Sequence, residues 1–578
     1  MAGGSTLAPR PSLIRGPSTP PVLETTFNIA LEERCSEFPE NIIAYSPQQK
    51  TQITYASLQT QSRRVAAGLR ALGVGSGDRV AILLGNRIEY LEIFLACGKL
   101  GAYATLLNYA YSAAELHSTI AATTPKVLIT TLTTSRYDYT TTLNELSSQL
   151  SCIESIVILP DISGEADHQE RNHGFLTYCG LCDLGSSSTW DLVQAENAVK
   201  PEDIINLQFT SGSTGRPKAA ALTHRGILNS ARYIGRQMKI HPSDRILVPV
   251  PLFHAFGLII GMCAAMMAGA SIVLPSEYFD AGATLSSIQE FRCTGIYGVT
   301  TMFVDELSHP CFGAFRLSSL RFGVMAGSAM PEELLRRVTK AFPLPIIYTN
   351  WGMTELSSIA TMTDGSDTIE KNLKTAGKLL PNLVAKIIDL RLDAQSLGAT
   401  MKAIKAHPED TLPGHAGPDE LGKSRRWMHT GDEGYLDEDG YLVITGRIKD
   451  LIIRGGENIS PAEIEARLYE HPAVKQVAVF GVPSKRYGEE VAAMLEIQSY
   501  RSVPPPIAEM KSWVRQTLAR YKVPVHVWWL GDATLGIPLE WPKTANGKLR
   551  KVDLRNIGKE ILSRANDSSA AGHLRSNL

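Results

Sequence analysis

The feature that most restricts this fold is a series of short apolar runs separated by helical patterns. Arg79–Leu84, Tyr103–Leu107, Lys126–Thr130, Ser155–Leu159, Arg245–Val250, Gly295–Val299, Arg321–Ala326 and Pro345–Thr349 read as buried strands. Glu89–Leu100, between the first two, carries apolar residues at helical spacing. Strands that alternate with helices predict parallel sheets, an α/β architecture. A single core rarely grows past about 250–300 residues. A chain of 578 residues is therefore expected to hold at least two domains. No solenoid-type repeat is present.

The C-terminal stretch has a different grammar. Gly440–Ile444 reads as a hairpin strand, Val474–Val482 as a strand and Ile507–Arg520 as a helix. Ser460, Pro461 and Glu463 form a helix start, with Ser at the cap and Pro at the first helical position. The pattern predicts a small α+β domain. The expected division is a mobile arm over 1–24, a large domain over 25–447, a small domain over 448–560 and a tail over 561–578. The arm is rich in proline and has no apolar core of a secretory signal. Phe256–Leu274 carries no charge, but its Gly, Ala and Met content and its Ala-Ser-Ile-Val-Leu-Pro ending predict a buried helix and strand rather than a membrane span.

Lys plus Arg total 57 and Asp plus Glu total 58, a net charge of −1, which argues against a nucleic-acid or polybasic membrane-surface function. Eight cysteines in so long a chain do not make a disulfide scaffold. Cys179 and Cys182 form a single C-x-x-C with no second pair, so no zinc site is expected.

The segment richest in chemistry is Thr210-Ser211-Gly212-Ser213-Thr214-Gly215-Arg216-Pro217-Lys218, which follows an apolar run. Glycines let backbone N–H groups approach an anion, hydroxyls donate to phosphate oxygens, and lysine adds charge. It is not a Walker A loop, because no Gly-Lys-Ser/Thr closes it. Asn546-Gly547-Lys548-Leu549 fails the same test. No G-x-S-x-G nucleophile elbow is present at the loop either.

This loop resembles the core motif of the adenylate-forming enzymes, the superfamily of acyl-CoA synthetases, peptide-synthetase adenylation domains and firefly-type luciferases. Further motifs follow in that family's order: Pro251–Gly257, Asn350–Glu355, His429–Asp432, Gly446–Asp450, Arg454–Ile459 and Pro542–Lys548. The resemblance runs from about residue 25 to about 555. It implies a large domain of parallel-type sheets with a β-rich subdomain, and a small mobile α+β domain. It also implies two steps: a carboxylate attacks the α-phosphate of ATP, and a thiol then displaces AMP.

The resemblance gives the residues roles. The Thr210–Lys218 loop holds the β- and γ-phosphates. Asn350, Trp351, Gly352, Met353 and Thr354 belong to the adenine motif, in which Trp351 replaces the usual Tyr and offers a ring for stacking. Glu355, with Thr214, binds Mg²⁺. Asp432 accepts the ribose hydroxyls and Arg447 steadies the ribose and phosphate side. Lys548 is the catalytic lysine, delivered by the small domain, and Lys449 is the hinge. Arg454, Gly455, Gly456 and Glu457 serve coenzyme A. Val299, Thr300, Thr301, Ala326, Gly327 and Ser328 line the acyl pocket. His254 is either a gate to that pocket or a hydrogen-bonded histidine beside a buried helix.

Lys449, the Arg454–Asn458 loop and the absence of a phosphopantetheine carrier motif favour the acyl-CoA synthetase branch. Ile296–Val304 is similar to medium-chain fatty acyl-CoA synthetases and their fungal secondary-metabolite relatives. The expected reactants are ATP, Mg²⁺, coenzyme A and a medium-chain fatty or polyketide-like acid. Two alternatives stay open: an acyl-AMP ligase serving a carrier-protein-bearing synthase, and a non-catalytic relative. The second arises because the segment between Ile388 and Trp427 departs from the family pattern, keeping only Asp419-Glu420-Leu421, and looks shortened. Lost strands there would leave an open sheet. The ending Ser576-Asn577-Leu578 is one residue from a peroxisomal address, so the expected location is cytoplasm or peroxisome.

Overall fold

The computed structural model describes residues 12–162, 174–186, 192–210, 218–326, 332–389, 402–408, 416–418, 424–426, 428–455, 457–484, 486–501, 503–544 and 547–575. Ser211–Pro217, Gly327, Ser328, Gly456, Asp419-Glu420-Leu421 and Ser576-Asn577-Leu578 lie outside the described residues.

The alternation seen in the sequence builds two sheets. The first has seven strands in the order Lys218–Thr223, Ile204–Thr210, Tyr103–Leu106, Arg79–Leu83, Val127–Thr131, Ser155–Leu159, Leu176–Thr177. All neighbours are parallel except the first pair, in which Thr210 faces Lys218 across an antiparallel ladder. The two ends of the Thr210–Lys218 segment are thus pinned side by side at a sheet edge. The second sheet has nine strands, six of which run parallel as Ile346–Trp351, Phe322–Met325, Gly295–Gly298, Arg245–Leu247, Ser271–Val273 and Ile42–Ser46. One apolar cluster contains residues of both sheets. Helix Ile88–Leu100 is buried at every position but Glu89, as expected of a helix that is apolar nearly all round.

A third, antiparallel sheet orders Ser12–Arg15, Leu383–Asp389, Lys402–Pro408, Met428–Leu436 and Leu442–Arg447. It corrects two expectations. Lys402–Pro408 pairs along its whole length with Leu383–Asp389 and then with Met428–Leu436, so the unusual segment does not leave the sheet open. The proline-rich arm, expected to be mobile, is tied down over 12–24. Ser12–Arg15 adds an edge strand, Asn382 donates to the Pro20 carbonyl at 2.7 Å, and Asn229 exchanges hydrogen bonds with Leu23. The strand is only four residues long, Ser-Leu-Ile-Arg, too short for a pattern to announce it.

From Ile452 onward the chain builds its own sheet, with Gly488–Ile497 between Val474–Ser484 and the parallel strand His526–Trp529. Two apolar clusters here contain only residues from 452 onward. The helix expected over Ile507–Arg520 stops at Arg515, and Arg520–Lys522 forms a separate 3₁₀ turn.

The charge-free run near Phe256 is a buried helix and strand, as expected. Its first eight residues, Phe256–Cys263, wind as a π-helix before Ala264–Met267 and the strand Ser271–Val273. A Cβ on Gly257 would lie 2.3 Å from the Pro251 carbonyl oxygen, so only glycine lets the chain turn this tightly after the Pro251–His254 motif. Among the described residues, no helix is long and apolar enough to cross a membrane.

Candidate active site

The site is assembled where the C-terminal ends of strands Ile204–Thr210 and Ile346–Trp351 meet the third sheet and the turn that carries Lys548. Strand Ile346–Trp351 runs into a 3₁₀ turn, Thr354–Leu356, which presents Glu355. The Thr210 hydroxyl donates to Glu355 Oε1 at 3.4 Å, so the start of the phosphate loop and the metal candidate share one space. Ser357 and Ser358 follow at φ of 55° and 101°, uncommon for residues with a side chain. Hydrogen bonds from their N–H groups to Thr354 and Met353 and from Ala360 to Trp351 hold this strained turn. The Asn350 amide nitrogen is buried with no hydrogen-bond partner, a donor available to a base.

Trp351 is placed differently from the expectation. Its indole is 7% exposed, within an apolar cluster that includes Leu356, Ala360, Ala376, Ile387 and Leu442. Its Nε1–H donates to Asp432 Oδ2 at 2.8 Å. The ring is committed through its edge, and its surroundings favour holding Asp432 over stacking on a base. Arg447 Nε lies 3.2 Å from Asp432 Oδ1. Each carboxylate oxygen thus has one partner and keeps a lone pair facing elsewhere. Lys449 follows in the 3₁₀ turn Ile448–Asp450 and is exposed, while Asp450 accepts from Arg555 at 3.1 Å.

Lys548 sits on a tight turn of the C-terminal region. Some of its surface reaches solvent, yet it is closely surrounded by protein. Burial, with the nearby Arg447 charge, lowers its ammonium pKa to about 8. His254 lies within range of its charge. The imidazole Nδ1 accepts from the Phe256 N–H at 3.2 Å, and burial together with the Lys548 charge pushes its pKa down to about 3. His254 is therefore neutral at ordinary pH, while Lys548 and Arg447 carry positive charge on this side. Val299, Thr300 and Ala326 are buried nearby in sequence and sheet order, with Val299 capping helix Thr300–Leu307. Thr301, expected to line the pocket with them, instead donates to the Gly547 carbonyl at 2.5 Å.

Of the coenzyme A candidates, Arg454 and Glu457 face each other across the hairpin Ile452–Arg454 and Glu457–Ile459. The Arg454 guanidinium lies 4.5 Å over the Tyr487 ring, and Gly455 N–H donates to the Tyr487 carbonyl. Cys182 is buried and Cys179 exposed. No cluster of three or more His, Cys, Asp or Glu able to hold a metal occurs among the described residues.

Trp351 as the holder of Asp432, Tyr487 as the support of Arg454 and Thr301 as a partner of Gly547 were not anticipated. Their partners are 81, 33 and 246 positions away, and no local pattern announces such pairs.

Residues 31–399 match the AMP-binding enzyme family, and residues 463–548 match the AMP-binding enzyme C-terminal domain. The acyl-CoA ligase sidI of Aspergillus fumigatus is 36% identical over 97% of this chain and 95% of its own length. The mitochondrial medium-chain acyl-CoA ligase ACSF2 of Danio rerio is 30% identical over 94% of this chain and 90% of its own. Among solved structures, the anthranilate CoA ligase AuaEII in complex with anthranoyl-AMP superposes with a TM-score of 0.78 at 25% identity, covering 94% of this chain and 98% of that one.

Proposed function

The chain belongs to the AMP-binding enzyme family and is an acyl-CoA ligase, and on that premise we propose how its residues divide the two half-reactions. The observation that carries the reading is the place of Lys548: the Gly547 carbonyl just before it accepts from Thr301 at 2.5 Å, and its ammonium feels the charge of Arg447. That is where a cation is needed when one anion attacks another. We take 25–447 as the large domain, 448–560 as the small domain, and the present arrangement as the adenylating one.

In the first step the Thr210–Lys218 loop holds the phosphates of ATP. The unpartnered Asn350 amide meets the adenine, and the free lone pairs of Asp432 take the two ribose hydroxyls. Glu355 and the Thr210 hydroxyl are hard oxygen donors on one space, with Thr214 on the same loop, which suits Mg²⁺ shared with phosphate oxygens. When bound there, the ion neutralises phosphate charge. The acid enters past His254, and its carboxylate oxygen bonds to the α-phosphorus as the bond to pyrophosphate breaks. Lys548 stabilises the charge that builds on both. The small domain then turns about Lys449 and brings the Arg454–Glu457 loop to the site. The thiol of coenzyme A displaces AMP and the thioester forms.

The pocket side is apolar, with Phe253, Phe256, Val299 and Ala326 buried. An apolar acyl group fits it, and a medium-chain fatty or polyketide-like acid is the substrate class proposed. The test is acid-dependent exchange of labelled pyrophosphate into ATP across a panel of carboxylic acids, followed by thioester formation on adding coenzyme A. Exchange without thioester would move the acceptor to a carrier protein. Nucleotide binding with no exchange for any acid would refute catalysis.

A further inference from the structure

We propose that Thr301 and Asp305 are positioning residues for catalysis: one face of helix Thr300–Leu307 is the seat for the turn that carries Lys548. The two residues are four apart, so they stand one above the other on the helix. Thr301 Oγ1 donates to the Gly547 carbonyl at 2.5 Å, and Lys543 Nζ pairs with Asp305 Oδ2 at 3.1 Å. These contacts grip the turn near both of its ends.

The described residues of the turn are tied to one another. Lys543 bridges to Leu549. Thr544 N–H donates to the Lys548 carbonyl at 2.7 Å, Gly547 N–H to the Thr544 carbonyl at 2.8 Å, and Lys548 N–H to Thr544 Oγ1 at 3.0 Å. Gly547 has φ of +79°, and a Cβ there would lie 3.0 Å from Thr301 Oγ1 and 3.1 Å from Val299 Cγ2. The seat therefore fits glycine in a conformation glycine favours. Because Gly547 immediately precedes Lys548, fixing its carbonyl fixes where the lysine side chain begins. An ångström of drift at such a point is costly for a step that depends on placement.

The same helix start carries Val299 and Thr300, the proposed wall of the acyl pocket. The acid and the catalytic lysine are thus registered against one element. An acid that displaces this wall unseats the lysine turn, so a poor acyl fit slows adenylation beyond what it costs in binding.

The inference rests on the proposed role of Lys548 in adenylation, and the experiment separates the two. In the full-length protein, acyl-adenylate formation and coenzyme A transfer from synthetic acyl-AMP are measured separately. The variants are Thr301→Val, Asp305→Lys, Asp305→Lys with Lys543→Asp, and Lys548→Ala as reference. Thr301→Val is expected to slow adenylation about fivefold, and Asp305→Lys about tenfold, through a lost hydrogen bond and a charge repulsion. Both are expected to leave coenzyme A transfer within about twofold, since the seat is empty of the turn in that arrangement. The charge-swapped pair is expected to recover adenylation to within about threefold, a rescue that general destabilisation does not give. If Lys548→Ala is selective for adenylation while the seat variants slow both half-reactions alike, change neither, or are not rescued by the swap, the seat is refuted alone. If Lys548→Ala is itself unselective, both readings fall.

Discussion

Replacing Trp351 with Phe removes one hydrogen-bond donor and leaves a small gap in the apolar cluster around it. The indole Nε1 is 2.8 Å from Asp432 Oδ2, and both residues are buried. A hydrogen bond to a charged group is worth about 1.5–3 kcal/mol, and the loss is largest where water cannot replace the donor. Arg447 keeps the other oxygen in place, so the low end applies, about 1.5 kcal/mol. If Asp432 takes the ribose hydroxyls, that loss appears in nucleotide binding. KM for ATP in pyrophosphate exchange is expected to rise about tenfold, with KM for the acid unchanged. Discrimination between ATP and 2′-deoxy-ATP is expected to shrink in the variant, because a loosened carboxylate gains less from the second hydroxyl. A variant with unchanged KM for ATP and unchanged discrimination would show that the Trp351–Asp432 bond does not shape the ribose site.

Two further expectations concern pH. Lys548 must be charged for adenylation, and its pKa is lowered to about 8, so kcat/KM for acyl-adenylate formation is expected to fall above about pH 8, with no matching limb from His254 above pH 5. Lys548→Arg should move that limb upward, and a limb that stays put would assign it to another group. Glu277 is 4% exposed, its Oε1 has no partner, and burial raises its pKa to about 7 against the pull of Arg87. A carboxyl with a raised folded pKa contributes stability at low pH that is lost as pH climbs through about 7. Glu277→Gln is therefore expected to gain about 1–3 kcal/mol relative to the native chain between pH 5 and pH 8 in urea unfolding, and parallel curves would contradict the assignment.

The strand–helix alternation and the Thr210–Lys218 motif were legible in the sequence because both are local. A buried parallel strand must be apolar along its length, and a phosphate loop must combine glycines, hydroxyls and a cation within a few positions. The motifs that single out Glu355, Asp432, Arg447 and Lys548 were legible because each is short and local, and the roles given to these residues are proposals. Pairings made at a distance were not. Ser12–Arg15 has no apolar alternation, yet it docks through backbone bonds on a strand more than 360 positions away. Trp351 carries a ring that suits stacking as well as burial, and the bond from its edge to Asp432 spans 81 positions. The π-helix at Phe256–Cys263 and the tight approach of Gly257 to Pro251 leave no mark in any periodicity.

The central claim is that one lysine on a moving domain serves one half-reaction only, and single-turnover rates for the two half-reactions test it most directly. Lys548→Ala removes a placed charge worth about 3–4 kcal/mol at the transition state, or two to three orders of magnitude in rate. It is expected to cripple acyl-adenylate formation and spare coenzyme A transfer from synthetic acyl-AMP. Lys449→Pro fixes φ in the exposed turn between the third sheet and the C-terminal sheet, and it is expected to do the reverse. Equal slowing of both half-reactions by Lys548→Ala would contradict the account.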